Sequence, residues 1–562
     1  MATLNTINPE HITWKYEQIL FTVLGGIRLD YLDRMRVTLK IELKEQAIRH
    51  NLDLYNDTQT EKLVRKTAER LEIGTSYISK AIAELTGELE NYRLEQLDQR
   101  QQDTRPKLKQ LTEKERSESL DFLKSKNLLS ETNRMIGRSG IIGENDNRLL
   151  MYLVFTSRKM NRPLHIVSFG SSGVGKSHLQ EKVGELIPQE DKIEMTSLTS
   201  NAFYYFDKDE LGHKLILIED LDGALSALYP IRELQSKQKI SKTVTIKDKK
   251  GNAKTIHLVV YGPVSIAGCT TQERIYEDNA NRSFLIYLDE SEAQDEKIMH
   301  YQRLLSAGQI KEQEESEAAN LLQNCQRLLE PIKVVNPYAP SLKIPKEVFK
   351  PRRSNAHYIA FIEAITFYHQ YQRDQKIDPQ TGEIYIETTL EDIAQANQLM
   401  KHVLLRKSDE LSGGCRSYFE QVKQYLKEKQ QTNNSQQACP EQGRRNTGFT
   451  NKEIRETLHI NHNTQKMYMA ELQQYDYIKK TEGNKKKGYS YEVVSLTEYE
   501  QLQTRINTVL DKILQQLEAG KKINASGGSP QEVEKLEEVV EQKQPLKTAQ
   551  TKKKKAKTKE VG

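Results

Sequence analysis

The 562-residue chain is poor in cysteine, and its four cysteines are far apart. Cys269, Cys325, Cys415 and Cys439 form no Cys-x-x-Cys pair, which excludes a zinc ribbon and a disulfide framework. No run approaches the roughly eighteen apolar residues of a membrane span, and the first residues carry no apolar leader core. A reduced, cytoplasmic protein with no membrane partner is expected. An excess of one charge sign is also missing: 84 basic residues face 79 acidic ones, for a formal net charge of +5. The whole-chain balance therefore gives no nucleic-acid signal, and only local clusters can carry one. Hydrophobic residues make up 36% and mean hydropathy is −0.73, which predicts long exposed helices and disordered stretches. The length predicts about two to four domains.

What is present begins with Gly170-Ser171-Ser172-Gly173-Val174-Gly175-Lys176-Ser177. This is the P-loop pattern G-x-x-x-x-G-K-[ST]. A short β-prone run (residues 164–169) precedes it and a helical pattern (177–187) follows. Glycines let successive backbone N–H groups point inward at phosphate oxygens, and the helix presents its positive end to the same phosphates. Lys176 is expected to reach the β- and γ-phosphates of ATP, and Ser177 to ligate Mg²⁺.

About forty residues downstream, Leu215-Ile216-Leu217-Ile218 ends in Glu219-Asp220, the acidic pair that hydrolysis needs. Glu219 is assigned to the Mg²⁺ side and Asp220 to water activation, with Asp222 as a further candidate. A third strand, residues 264–271, ends in Thr270-Thr271, where a sensor side chain would touch the attacking water or the γ-phosphate. Arg282 precedes the apolar run Ser283 to Tyr287, as an arginine finger does in ring ATPases. Such a finger stabilises charge on the transferring phosphoryl and makes hydrolysis depend on assembly. Arg353, ahead of an apolar helix (358–368), is a sensor-2 candidate; an ordinary surface arginine is the competing reading for both. This order of elements is the AAA+ arrangement: an α/β P-loop NTPase core with a helical lid.

Between the acidic and sensor strands, residues 241–260 alternate, turn at Lys249-Lys250-Gly251-Asn252, and alternate again. That is a β-hairpin with a basic tip. Lys247, Lys249, Lys250 and Lys254 suit contacts to DNA phosphates; a solvated edge hairpin protected by lysines is the alternative.

The segments at 198–206, 215–224, 232–242 and 269–291 resemble the helicase-like half of toprim/zinc-finger primase–helicase proteins of bacterial mobile genetic elements. Their core is of the minichromosome-maintenance or superfamily-3 type. Residues 25–27 through 51–71 resemble the stretch that follows the primase modules there. The resemblance covers roughly residues 1–400. It implies a hairpin that grips DNA in a central channel and a homo-oligomeric ring. The chain lacks the family's cysteine–histidine module and any recognisable toprim acidic set, so primer synthesis is not expected, and a separate primase is an implied partner.

Further on, residues 449–458 read as a helix capped by Thr450 or Asn451, and 464–475 as a second helix. Residues 477–480 and 489–494 then read as two strands around a turn. This predicts a C-terminal winged helix whose recognition helix exposes Asn463, Gln465, Lys466 and Tyr468. Its wing carries Lys485, Lys486 and Lys487. Protein contacts are the competing use. The expected organisation is an N-terminal α+β region (1–118), with two strands before residue 50 and helices over 57–100, then the ATPase core (119–300) and a helical lid region (301–430). A linker (431–447), the winged helix with a trailing helix (448–518) and a disordered lysine-rich tail (519–562) complete it. The function expected is an ATP-dependent helicase or translocase on single-stranded and duplex DNA. The alternative is a DNA-bound ATPase switch that loads or regulates replication or transposition proteins without unwinding.

Overall fold

The computed structural model describes residues 4–29, 34–44, 46–104, 108–170, 172–247, 253–271, 282–436, 448–484 and 488–525. They divide into two units, Met1–Lys109 and Gln110–Gly562. In the first, β1 (His11–Tyr16), β2 (Ile19–Leu24), β3 (Arg36–Leu43) and β4 (Gln46–Asp53) form an antiparallel meander in that order. Helices α1 (Asp57–Leu71) and α2 (Thr75–Thr104) follow. Alternate strand residues such as Trp14, Phe21, Leu39 and Ile48 share one core with Leu63, Ile78, Leu85 and Leu89 of the helices. β2 and β3 match the expected strands. β1 and β4 were not expected, because each buries only two side chains along its length.

The second unit opens with α3 (Glu113–Leu123), α4 (Leu128–Arg138) and α5 (Asn145–Thr156). Thr112 and Glu115 form a reciprocal cap at the start of α3. The expected domain boundary at 118/119 therefore falls inside a helix. Then come β5 (Ile166–Phe169), α6 (Lys176–Gly184), β6 (Lys192–Met195), β7 (Lys214–Ile218) and α7 (Leu228–Lys237). β8 (Lys239–Lys247) and β9 (Ala253–Tyr261) pair as the expected hairpin, before β10 (Val264–Thr270) and β11 (Phe284–Tyr287).

The main sheet runs β11-β5-β10-β7-β6, and every pairing in it is parallel. Its central strands β5, β10 and β7 are buried on both faces, as parallel strands between helices are. Alternation divides the side chains. Ile166, Leu215, Leu217 and Ala267 pack with α5 and α6, while Val167, Ile216, Ile218 and Ile266 pack with α7 and the foot of the hairpin.

Beyond β11 the chain is mainly helical, with helices Glu292–Ser306, Glu312–Leu328, Pro351–Tyr368 and Leu390–Arg406. A small sheet, β12 (Lys333–Val335), β13 (Lys376–Ile377) and β14 (Ile384–Glu387), was not expected there. Helix Gly413–Gln436 carries the chain through residues 431–436, the start of the expected linker; residues 437–447 lie outside the described residues. β15 (Gly448–Thr450), helix Asn451–Leu458, helix His462–Gln474, β16 (Ile478–Asn484) and β17 (Gly488–Val493) follow, with strand order β15-β17-β16. Thr450 caps its helix, with Glu453 completing the reciprocal pair. The last helix, Glu498–Ala525, runs past the expected start of the tail, and residues 526–562 lie outside the described residues. Among the described residues no helix is long and apolar enough to cross a membrane.

Candidate nucleotide site

Because the main sheet is parallel, the carboxyl ends of β5, β10, β7 and β11 all meet one edge. Strands lie about 4.8 Å apart, so the ends of β5 and β7, with β10 between them, stand roughly 10 Å apart. The P-loop leaves β5 at this edge. Gly170, Gly173 and Gly175 have φ of 152°, 89° and 90°, values that a side chain resists. Gly175 caps α6 and has no side chain to occupy the helix's first N–H groups, which are left to face a ligand. Lys176 is 8% exposed, and its ammonium donates to the Gly170 carbonyl at 2.9 Å. Ser172, Gly173 and Ser177 are exposed and Val174 is half-buried; Ser171 lies outside the described residues.

Across the edge, Glu219 and Asp220 are both exposed at the end of β7. The Asp222 backbone N–H donates to Asp220 Oδ1 at 2.8 Å, which fixes the turn after the strand. Thr270 corrects the sensor expectation. It is 1% exposed, and its hydroxyl donates to Asp222 Oδ1 at 2.7 Å. The Thr271 hydroxyl donates to Asp222 Oδ2 at 3.1 Å, and Thr271 is exposed. Thr270 is the last residue of a central strand and faces inward; the residue after it opens to the edge. Asp222 thus ties the acidic strand to the sensor strand.

Two residues that the sequence reading passed over hold this edge together. Gln180 of α6, 3% exposed, donates to the Ile218 carbonyl at 3.0 Å, and its side-chain oxygen accepts from Cys269 Sγ at 3.5 Å. Burial pushes the Cys269 thiol up to about 12, against the opposing pull of the Lys176 charge. Cys269 is therefore a neutral, buried thiol near the carboxyl end of β10. A glutamine in a polar helical stripe carries no sequence signal for this role.

The residues present fit a nucleoside triphosphate with Mg²⁺: a positive-φ glycine cradle, an open helix start, an ammonium, a hydroxyl and two exposed carboxylates. A cavity of about 510 Å³ by β11, the strand next to β5, is lined in part by Glu144, Asn147, Tyr287, Asp289, His402 and Arg406 and by no described P-loop residue. The Tyr287 ring stacks on Phe169, the residue before the P-loop, at 5.5 Å. Glu144 accepts from the Asp289 N–H and from Asn147, and burial raises its carboxyl above the usual range.

The two arginines from the sequence reading are elsewhere. Arg282 precedes Phe284, which is level with Ile166 at the start of β5. It therefore lies at the amino edge of the sheet, opposite its own P-loop, and its Nε donates to Ser236 Oγ at 2.7 Å. Arg353 is exposed, one turn before His357, whose ring stacks on Phe284 at 5.4 Å. It too is placed by the amino edge, so the expected approach to the P-loop of its own chain is not made. Arg406, the last residue of helix Leu390–Arg406, stands 4.1 Å from the centre of the Tyr287 ring, at the carboxyl end of β11.

Of the DNA candidates, the side chains of Lys247 and Lys254 and all of Lys249, Lys250, Lys485, Lys486 and Lys487 lie outside the described residues. Lys466 and Asn463 are exposed. Gln465 is corrected: it is 2% exposed and donates to the Asn451 carbonyl at 2.8 Å, so it holds the two helices together and meets no ligand. Tyr468 is half-buried against Tyr418.

Residues 113–331 match the family described as the MTBMA_p00010 P-loop domain, a span shorter than half the chain. With the parallel sheet and the glycine cradle, this defines an α/β P-loop NTPase core. Similar solved structures include a full-length MCM homolog from Methanopyrus kandleri, 13% identical. The match covers 73% of this chain and 76% of that one, with a TM-score of 0.33. Another is the SCCmec type IV Cch active helicase, 11% identical, covering 90% of this chain and 99% of that one, with a TM-score of 0.27. No curated protein matches the chain.

Proposed function

We propose that the chain is an AAA+ ATPase that assembles into a ring and moves along DNA as a helicase or translocase. One observation carries the reading: Arg282 and the P-loop stand at opposite edges of the same sheet. An arginine in that position is out of reach of its own P-loop, which supports a role at a neighbouring copy's site and hydrolysis at subunit interfaces. Lys176 would hold the β- and γ-phosphates, and Ser177 with Glu219 would hold Mg²⁺. Asp220 would polarise the attacking water, with Asp222 bracing the sensor strand. Arg406 takes the place expected of Arg353, and the cavity beside Tyr287 would receive the nucleoside. ATP supplies the phosphoanhydride whose cleavage drives the cycle.

The basic hairpin, read as the DNA grip, extends from the sheet face that carries α7. The C-terminal helix–turn–helix with its strand pair is read as a winged helix that adds duplex affinity through Asn463, Lys466 and the wing lysines. The resemblance to primase–helicases supports a cytoplasmic role in the replication of a mobile genetic element, beside a separate primase. The test is strand displacement on forked DNA with ATP, run beside ATP hydrolysis with and without DNA. Displacement supports the helicase. DNA-stimulated hydrolysis that never displaces a strand replaces it with the loader or switch.

A further inference from the structure

Among the described residues of the second unit, the two most exposed aromatic side chains lie beside the hairpin, and the ATP site does not use them. Tyr205 is 76% exposed, Tyr229 57% and Leu225 45%. Three segments bring them into one region. Tyr204 and Tyr205 close a 3-10 turn (Ala202–Tyr205) that packs against both hairpin strands. Leu225 sits on the turn Asp222–Ala227, and Tyr229 on the first turn of α7. Ser226 Oγ donates to the Leu198 carbonyl at 3.3 Å, which ties the second segment to the loop before the first. The Tyr204 hydroxyl lies within electrostatic reach of Tyr229 and Glu233.

Cations accompany these rings. Lys242 of β8 stands 5.6 Å from the Tyr204 ring centre and bonds Asn201 at 2.5 Å. The Arg232 guanidinium stands 5.5 Å from the Tyr229 ring. Lys239 is exposed at the start of β8. The acid in reach, Glu233, is paired with Lys237 at 2.6 Å. Two exposed rings, Tyr229 with Arg232 at its face and Tyr205 next to the buried Tyr204 that Lys242 approaches, match one chemistry well: an unpaired base, with its phosphate held by a nearby cation. A duplex hides its base faces in its own stack, and an acidic peptide would use the cations but not the rings.

We propose that Tyr205 and Tyr229 form a stacking platform for the bases of a single DNA strand beside the hairpin, with Arg232 and Lys242 as its phosphate partners. This rests on the reading of the chain as a DNA translocase and names where unpaired bases are held. The platform is joined to the ATP site through the chain itself. Leu225 and Tyr229 follow three and seven residues after Asp222, the carboxylate that receives the Thr270 and Thr271 hydroxyls.

The test uses the full chain and two labelled probes of equal length: oligothymidylate, and a strand of abasic residues with the same phosphates. Fluorescence anisotropy reads binding to wild type, Tyr205→Ala, Tyr229→Ala and the two phenylalanine variants. Each alanine change should weaken oligothymidylate binding by roughly five- to a hundredfold. Phenylalanine should hold it within about twofold, since the ring is what stacks. Abasic binding and its salt slope should stay as in wild type, because every phosphate keeps its cation. DNA-free ATP hydrolysis and the sedimentation profile should be unchanged. Equal loss on both probes, or no loss on either, overturns the platform while the translocase reading stands. A shift to smaller assemblies assigns the patch to the interface between copies and also overturns it. A wild type that binds neither probe overturns the translocase reading and the platform together.

Discussion

Arg282 offers a quantitative test of the ring. Its residue lies before the first residue of β11, and the P-loop lies after the last residue of β5, three residue steps away along paired parallel strands. Those steps span about 10 Å of backbone, and the arginine starts on the far side of them. The guanidinium donates to Ser236 Oγ in an exposed bond, so Arg282→Ala should cost about 1 kcal/mol or less and leave the fold intact. Its ATP affinity should match wild type. Hydrolysis should fall by about 10³-fold or more, the scale of a missing arginine finger. Lys176→Ala subunits should also be inactive, for a different reason. In an equal mixture, an interface works when its P-loop comes from an Arg282→Ala subunit and its finger from a Lys176→Ala subunit. Random assembly makes about one interface in four competent, whatever the number of subunits in a closed ring. The mixture should therefore recover roughly a quarter of wild-type hydrolysis if interfaces act independently. Phosphate release is the assay, and co-purification of two differently tagged subunits shows that rings have mixed. Mixed rings with no recovery would refute the trans assignment, as would an Arg282→Ala protein that hydrolyses at the wild-type rate.

Lys176→Ala alone should abolish hydrolysis without lowering the melting temperature, since one loop ammonium is removed and no apolar packing is touched. A wild-type rate in this variant would show the site to be misassigned. Changing Lys247, Lys249, Lys250 and Lys254 to Ala should spare DNA-free hydrolysis but reduce its stimulation by DNA. The log–log salt slope of binding should drop by about 0.7 to 0.9 for each phosphate that is no longer neutralised, and an unchanged slope would count against the hairpin as the grip. His165 is buried, and burial holds its imidazole down to about 4, from 6.5. The folded state thus favours the neutral ring, and the unfolded chain binds the extra proton between those values. Stability should fall by about 3 kcal/mol as pH drops from above 6.5 to below 4. Urea titrations of wild type and His165→Asn, which keeps an acceptor for the Ile266 N–H, should differ in that slope. In the C-terminal unit, Lys466→Ala should weaken duplex binding without changing unfolding, whereas Gln465→Ala should cost about 1 to 3 kcal/mol of stability through the unpaired Asn451 carbonyl. The reverse pattern would restore Gln465 to the interface.

The sequence made legible what is set by neighbours in the chain. The P-loop could be read because its glycines, lysine and flanking strand and helix are contiguous, and each has a local reason. The hairpin showed in its alternation, and the cap at Thr450 in its spacing to Glu453. Gln465 was misread although the signal existed: with Met469 and Leu472 it forms one helical stripe, and that stripe is the buried one. β1 and β4 escaped because strands with one solvated face and few apolar residues look like polar loops. Thr270 looked like a sensor by position alone. Only the central placement of β10 shows that its hydroxyl is turned toward Asp222.

Arg353 was read from the sequence without Arg406 coming into view, and the cause is tertiary. Arg353 and Arg406 both belong to helices after the sheet, and both stand near apolar residues. Which one meets the nucleotide edge depends on how those helices cross β11. Helix Pro351–Tyr368 puts His357 and Phe361 against Phe284, the strand's first residue. Helix Leu390–Arg406 ends with its arginine over Tyr287, the strand's last. β11 is only four residues long, so a shift of one strand length exchanges the two edges. Arg282 sits at the same division. Its partner, Ser236, ends a segment that begins at Asp222, and that segment crosses from the hydrolysis edge to the amino edge. One stretch of 3-10 turn and helix therefore carries Asp222, which receives the Thr270 and Thr271 hydroxyls, near one end and Ser236, which accepts from Arg282, near the other. Sequence order places Asp222 and Ser236 fourteen residues apart; the fold makes them the two ends of one strut.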